Sequence, residues 1–430
     1  MLSHGHWGTF PRDQYSLRYT VAMNDTARVA LILGLLIGSS PKALAHGGPQ
    51  ESVQVLADPR PFMVRSNYGL LRFESEAYWR WTCEEVAGSV EITDYAIDRD
   101  GNQVLSNFHG LYRSTDGCQW DLIDNELKDG FVTDLEQSDD ELWATTGMPG
   151  TNNGLWVSND GGLSFDLDSS FGLGSELKSI KHHGSWMWLS GWTEANPWAA
   201  HRSSEDGSWT TMSFDHDDNP IESIHVHQVE ENGQAWFVLG RSSNDELWAL
   251  SPDGSSTLKL ETHTPIEAIM MNGSLGLVGT RAGVAWQSTD GGATWTEYTD
   301  TPDMGCFEFV DDTIHICSHN WKDGAASMAA TQSVKPLDEW DWVPTLWYGD
   351  VRAIESCPEG STVFERCTPL WPIVVPAAGY NLERSEDTDS ATAKTANGCA
   401  GCASQTGSND WLWVMALVSL VRRRLHVKAC

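Results

Sequence analysis

The chain has 430 residues, enough for one large domain with a sizeable core, and its 22 Trp and 39 Gly are the mix of aromatics and turn formers that marks short β-strands. Its 60 Asp and Glu against 27 Lys and Arg leave a formal charge of −33. A surface of that sign repels phosphate backbones and anionic headgroups, so nucleic acid is excluded as a partner, and solubility is the plain reading of the charge.

In chain order, Arg28 is followed by an apolar run from Val29 to Gly38 and then by Ala43-Leu44-Ala45. A charged leader, a short apolar core and an A-x-A site make residues 1–45 a signal peptide cleaved before His46, with Met23 as an alternative start. The run is too short to span a bilayer, which argues against an uncleaved anchor. Residues 46–61 are left as a mature N-terminal segment.

A repeat organises the body, residues 62–375. Its clearest copies are Ser288-Thr289-Asp290-Gly291-Gly292-Ala293-Thr294-Trp295 and Ser158-Asn159-Asp160-Gly161-Gly162-Leu163-Ser164-Phe165. Shorter copies are Ser114-Thr115-Asp116-Gly117-Cys118-Gln119-Trp120 and Ser204-Glu205-Asp206-Gly207-Ser208-Trp209, while Ser251-Pro252-Asp253-Gly254 keeps only the start and Ser75–Trp81 is decayed. Leading serines recur every 37–47 residues, the length of a four-stranded blade. In each copy the Asp can accept backbone N–H groups, Gly supplies positive φ and the aromatic (Trp120, Trp209, Trp295) packs under the turn. Units starting near Val90, Val132, Leu177, Ile221, Ile266 and Cys306 make six blades. The half unit 68–83, joined by predicted strands Val351–Ile354 and Thr362–Cys367, makes a seventh. The expected fold is therefore all-β, a seven-bladed β-propeller closed by strands from both termini, which removes two open edges.

These copies resemble the Asp-box (BNR, sialidase-like) repeat. The resemblance spans about residues 62–375 and implies a propeller with structural, not catalytic, Asp116, Asp160, Asp206, Asp253 and Asp290. It carries no single function, since similar boxes occur in sialidases, sortilin-type receptors, some glucanases and photosystem assembly factors. A sialidase would also need an Arg cluster, a Tyr–Glu pair and an acid. The family's F-R-I-P motif is absent, Asp58-Pro59-Arg60-Pro61 being a poor substitute, and Arg72, Arg113 and Arg202 recur at a structural position before the boxes.

Cysteines in an exported chain read first as disulfides. Cys306 and Cys317, and likewise Cys357 and Cys367, fall on neighbouring predicted strands and are expected to bridge them. Cys83 and Cys118 either pair with each other or take partners in the closing blade. Candidate ligand-binding residues lie in loops between second and third strands: Trp192, Trp198, Trp321, His109, Arg241 and Arg281. The tryptophans suggest a stacking surface for a glycan or protein, the alternative being rings folded back on the blade. His182-His183 and His225-x-His227 have metal-compatible spacing, but packing or pore-facing side chains explain them better. Asp215-His216-Asp217-Asp218 has a calcium-like composition that an acidic turn also explains, so no metal or cofactor is expected.

Residues 376–398 are rich in Ser, Thr, Asp, Ala and Glu and read as a disordered tether. Residues 399–424 hold Cys399 and Cys402, an apolar stretch from Trp411 to Val421 about half a normal span in length, and Arg422-Arg423-Arg424. Residues 425–430 would be a cytoplasmic end. This order of parts resembles the MYXO-CTERM tail of myxobacterial and related surface proteins, which implies processing near the cysteines and a membrane-associated tail beforehand. The sequence thus points to an exported, surface-displayed, monomeric binding or adhesion module. A carbohydrate-active hydrolase using the propeller's central pocket is the alternative.

Overall fold

The computed structural model describes residues 52–378, apart from 57–61, 75–77, 89–91, 99, 124–125, 129, 139–140, 148–152, 172–174, 194–195, 206, 215–219 and 311. The proposed leader and sorting tail, with Cys399, Cys402 and Trp411–Val421, lie outside them, as do Asp206 and the tether from residue 379 on, whereas Pro376 and Ala377, expected in the tether, end the helix Trp371–Ala377, where Val374, Val375 and Ala378 are buried against the core. Among the described residues no helix is long and apolar enough to cross a membrane.

Seven antiparallel sheets stand in a ring, the arrangement of a seven-bladed β-propeller. Blade 1 runs from Ser52 to Thr82, blade 2 from Ile92 to Leu122 and blade 3 from Val132 to Leu167. Blade 4 runs from Glu176 to Ser213, blade 5 from Ile221 to Thr262, blade 6 from Ala268 to Thr299 and blade 7 from Cys306 to Leu346. Each has four strands in sequence order, innermost first, and blade 1 gains a fifth, Val351–Ile354, parallel to its outermost strand Trp79–Thr82.

The closing sheet does draw on both ends of the chain, but divides them differently from expectation. The N-terminal side supplies all four regular strands, including Ser52–Leu56 and Met63–Ser66, so the propeller begins at Ser52 rather than 62. Ser52-Val53-Gln54-Val55-Leu56 is a short run whose copy of the repeat, Ser75–Trp81, is decayed, and Pro59 and Pro61 separate it from the next strand. Thr362–Cys367 is an α-helix, not a strand. Ser361 caps it by accepting from Phe364 N, and buried Val363 and Cys367, four residues apart, share its inner face.

The disulfides follow from that arm. Cys306 pairs with Cys317 across two strands of blade 7, as expected. Cys357 and Cys367 do not pair with each other. Cys367 bonds Cys83 and Cys357 bonds Cys118, so each joins the C-terminal arm to the start of the ring. The helical turns between residues 357 and 367 carry the two cysteines apart, Cys367 toward blade 1 and Cys357 toward the Ser114–Trp120 turn of blade 2.

The repeated Ser-x-Asp turns join third and fourth strands, and their polar geometry repeats. In blade 6, Asp290 Oδ1 accepts from Thr294 N and Ser288 Oγ, each at 2.8 Å, and Oδ2 from Thr294 Oγ1 at 2.7 Å. These bonds, led by that from the Thr294 hydroxyl, hold the Asp290 carboxyl down to about 2. Asp160 is bonded alike by Ser158, Leu163 and Ser164, and Asp116 by Ser114, Cys118 and Gln119. Asp253 accepts from Ser255 N at 2.9 Å. The aromatics seat each turn: Trp120 is buried, Trp209 meets Phe171, and Trp295 lies edge-on to Trp236. Gly292 has φ +78, and a Cβ there would stand 2.4 Å from the Trp236 ring in blade 5.

Consecutive blades are clasped at their innermost strands. Gln54 Nε2 donates to Tyr95 O at 3.1 Å, Asp94 Oδ2 accepts from Leu135 N at 2.7 Å, and Asp134 Oδ2 accepts from Ile180 N at 2.9 Å. Ser179 Oγ accepts from Val226 N at 2.8 Å, and the Gln228 amide bonds both N and O of Met271. All five clasping residues sit just past a β-bulge, the register skipping one residue before each. Blades 6 and 7 share an apolar cluster including Met270, Leu277, Ile314 and Met328 instead. Blade 7 meets blade 1 through the Ser52 hydroxyl, which donates to Ala326 O.

Two outcomes follow for stability. Gly292→Ala should cost about 1–3 kcal/mol in urea unfolding, through its positive φ and the clash with Trp236. Gly254→Ala, where φ is +87 but no atom lies within 4 Å, should cost less, and equal costs would remove Trp236 from the explanation. Asp94 is the second case. Burial, then the charge and hydrogen bond of Asp134, push its carboxyl up to about 7. The folded state therefore holds this proton more tightly than the unfolded chain. Its contribution to stability falls as pH rises from about 4 to about 7 and is lowest above that. Asp94→Asn, which can still accept from Leu135 N and donate to Asp134, should raise the melting temperature at pH 8 and do little at pH 4.

Candidate functional site

The strand-linking loop of blade 7 builds the best-defined surface feature. It carries a helical turn, Asn320–Asp323, closed by Gly324 in the left-handed conformation. Beneath it, Asp303 has no exposed surface and meets both His319 Nδ1 and the Lys322 ammonium. Asp323 Oδ2 accepts from Asp303 N at 3.1 Å and His319 N at 3.3 Å, and burial raises its carboxyl pKa. With the His319 proton assigned to Nδ1, facing Asp303, Nε2 is left to accept from Arg281 Nη1 at 3.3 Å. Arg281 Nη2 in turn donates to Ser52 O at 2.9 Å, tying the cluster to the innermost strand of blade 1.

On this framework the His319 ring stacks on Trp321, centroids 4.1 Å apart and planes 23° from parallel. Trp321 is 50% exposed, and Trp347, 42% exposed, lies over Gly324. The outcome is a fixed aromatic platform beside cationic side chains, held from below by one buried carboxylate. A ring so held loses little conformational entropy when a partner stacks on it.

The other sequence-derived candidates fall elsewhere. Trp198 is not a loop residue. It lies on the strand Asn196–Ser203, is 5% exposed and packs against Phe171 at 5.4 Å. Facing Gly191 has no Cβ, which leaves room for the indole; a Cβ there would lie 2.5 Å from it. Trp192 lies one residue before the end of the preceding strand, Trp186–Thr193, half-buried against the core between blades 4 and 5. Arg241 pairs with Glu246 at 2.8 Å inside blade 5. His109 is exposed on the turn of blade 2, next to Phe108, which stacks flat on Phe131 at 4.8 Å. Only Arg281 and Trp321 of the six come together, and His319, which links them, was legible only as the neighbour of Trp321 in sequence.

A second concave feature is the central channel, a cavity of about 450 Å³ lined by the innermost strands of blades 1–5 and 7. Lys181 Nζ stands 2.9 Å from Glu136 and 3.6 Å from Asp134. Burial opposes its charge, but Asp134, Glu136 and Asp94 outweigh that and push its pKa well up. His227 is driven down to about 3 by burial, then by His225 and Lys181, so its imidazole is neutral. Among the described residues no group of three or more His, Cys, Asp or Glu side chains could hold a metal ion.

No family model matches the chain, and no curated protein matches it. Solved structures do. A GH74 xyloglucanase from Xanthomonas campestris is 15% identical with a TM-score of 0.50, the match covering 71% of this chain and 55% of that one. The extracellular domain of a hybrid two component system from B. thetaiotaomicron is 11% identical with a TM-score of 0.50, covering 67% of this chain and 39% of that one. YCF48 from Cyanidioschyzon merolae is 13% identical with a TM-score of 0.46. The chain thus spans about half the length, or less, of the first two, and what it shares with them is the propeller fold.

Proposed function

We propose that the protein is an exported, surface-displayed binding or adhesion module that engages a glycan or protein partner on the Trp321 platform. One observation carries the reading: a half-exposed tryptophan is locked by His319, which is itself held by buried Asp303 and Arg281. Exposed aromatics so ordered are the usual anchors of recognition surfaces. Three disulfides fit an oxidising, exported setting. The Asp-box reading of the turns is supported by the repeated Ser–Asp bond pattern, which makes those aspartates structural.

A carbohydrate-active hydrolase working in the central pocket is the second reading. It draws on Asp94, whose pKa near 7 suits a general acid. Asp94 is, however, already engaged with Leu135 N and Asp134, which favours binding over catalysis.

A glycan array probed with the purified propeller tests the platform. Trp321→Ala should weaken the best ligand by about 2 kcal/mol, roughly 30-fold, while His109→Ala leaves it unchanged. Unaltered binding by Trp321→Ala would remove the platform from recognition. For display, the Cys399→Ser/Cys402→Ser double variant should remain full length in the inner membrane, whereas the parent is shortened and reaches the surface. Normal processing of the double variant, followed by immunoblot of membrane and surface fractions, would leave a plain anchor as the better account.

A further inference from the structure

The charges on the channel wall are paired among themselves. Lys181 is bound by Glu136 and Asp134, Glu136 also accepts from His182 N at 3.1 Å, and Asp94 is hydrogen-bonded with Asp134. Glu308, the remaining charged group there, has a partner of its own. What is left over is neutral. Gln54 Oε1 is buried with no hydrogen-bond partner among the described residues, its Nε2 being spent on Tyr95 O. The His227 ring and the Gln137 amide line the same cavity, and no hydrogen bond joins either side chain to another described residue.

From this division we infer that the central channel is a second binding site, separate from the rim platform, for a small neutral polyol of monosaccharide size. An anion entering it would face Asp134, Glu136 and Glu308 with its one ammonium already neutralised. A cation would find the place between the carboxylates filled by Lys181. A hydroxyl both donates and accepts, so it can serve the orphaned Gln54 oxygen, the Gln137 amide and an imidazole held neutral. Phe307 adds a partly buried apolar edge for the C–H face of a sugar ring. The volume, about 450 Å³, falls within the range of small-molecule pockets.

The test uses the disulfide-intact propeller and saturation-transfer NMR with calorimetry. The probes are glucose, galactose, mannose and N-acetylglucosamine, set against glucuronate and glucosamine as the anionic and cationic counterparts. At least one neutral sugar should bind at millimolar concentration and be preferred to both charged probes. His227→Leu and Gln137→Leu should each weaken it about tenfold, with unchanged circular dichroism. His227→Gln, which keeps a neutral donor and acceptor, should retain binding, and Trp321→Ala should have no effect. Absence of binding by every neutral sugar, or preference for a charged probe, overturns the inference. Binding that survives the channel variants but is lost in Trp321→Ala also overturns it, while leaving the rim reading intact.

Discussion

The ring depends on how the innermost strand of each blade satisfies its open edge. That strand has a partner on one side only, so a row of backbone N–H and C=O groups faces the neighbouring blade. Left unpaired and buried, each would cost what a lost hydrogen bond costs. The preceding blade supplies the missing partner through a single side chain: Asp94 for Leu135, Asp134 for Ile180, Ser179 for Val226 and Gln228 for Met271. A regular pleat sends side chains to the two sheet faces. The bulge preceding every clasp re-aims one of them toward the next blade. Three different side-chain chemistries do the same task, so geometry rather than residue type is what repeats.

Closure of the ring is a separate problem, because the last blade has no covalent neighbour on its far side. The interface of blades 7 and 1 is joined at the centre by Ser52, with Arg281 of blade 6 bonding both the Ser52 carbonyl and His319, and at the outside by the added parallel strand. The C-terminal arm then stitches back with two long-range disulfides. The Cys83–Cys367 loop spans 284 residues and so encloses the whole of blades 2 to 7. A crosslink of that reach restricts the unfolded chain strongly in the chain-entropy view. Arg366, which donates to Glu85 O, and Trp371, which packs on Trp81, hold the same arm in place without covalent help.

The two concave features divide the polar chemistry between them. In the channel, charges cancel in a buried network that serves the inter-blade clasps, and neutral groups are left facing the space. At the rim, one buried carboxylate, Asp303, organises a histidine and a lysine, and through them an exposed indole.

Read alone, the sequence determined what depends on neighbouring residues. The repeated Ser-x-Asp turns, the blade period and hence the seven-bladed ring were all legible, because turn chemistry acts over four to eight positions. The Cys306–Cys317 bridge was legible for the same reason, since its strands adjoin in one hairpin. Only the tertiary structure decided which residues meet across hundreds of positions. Cys357 and Cys367 are close in sequence, yet the arm between them turns helical and delivers each to a different blade. Trp198 and Trp321 both looked like loop tryptophans, and what separates them is Gly191 on a facing strand in one case and His319 over a buried aspartate in the other. The clasps too were hidden, although Ile92-Thr93-Asp94 and Val132-Thr133-Asp134 repeat in plain view. Their role rests on the neighbouring blade's backbone, and a side chain's partner in that backbone exists only once the ring has formed.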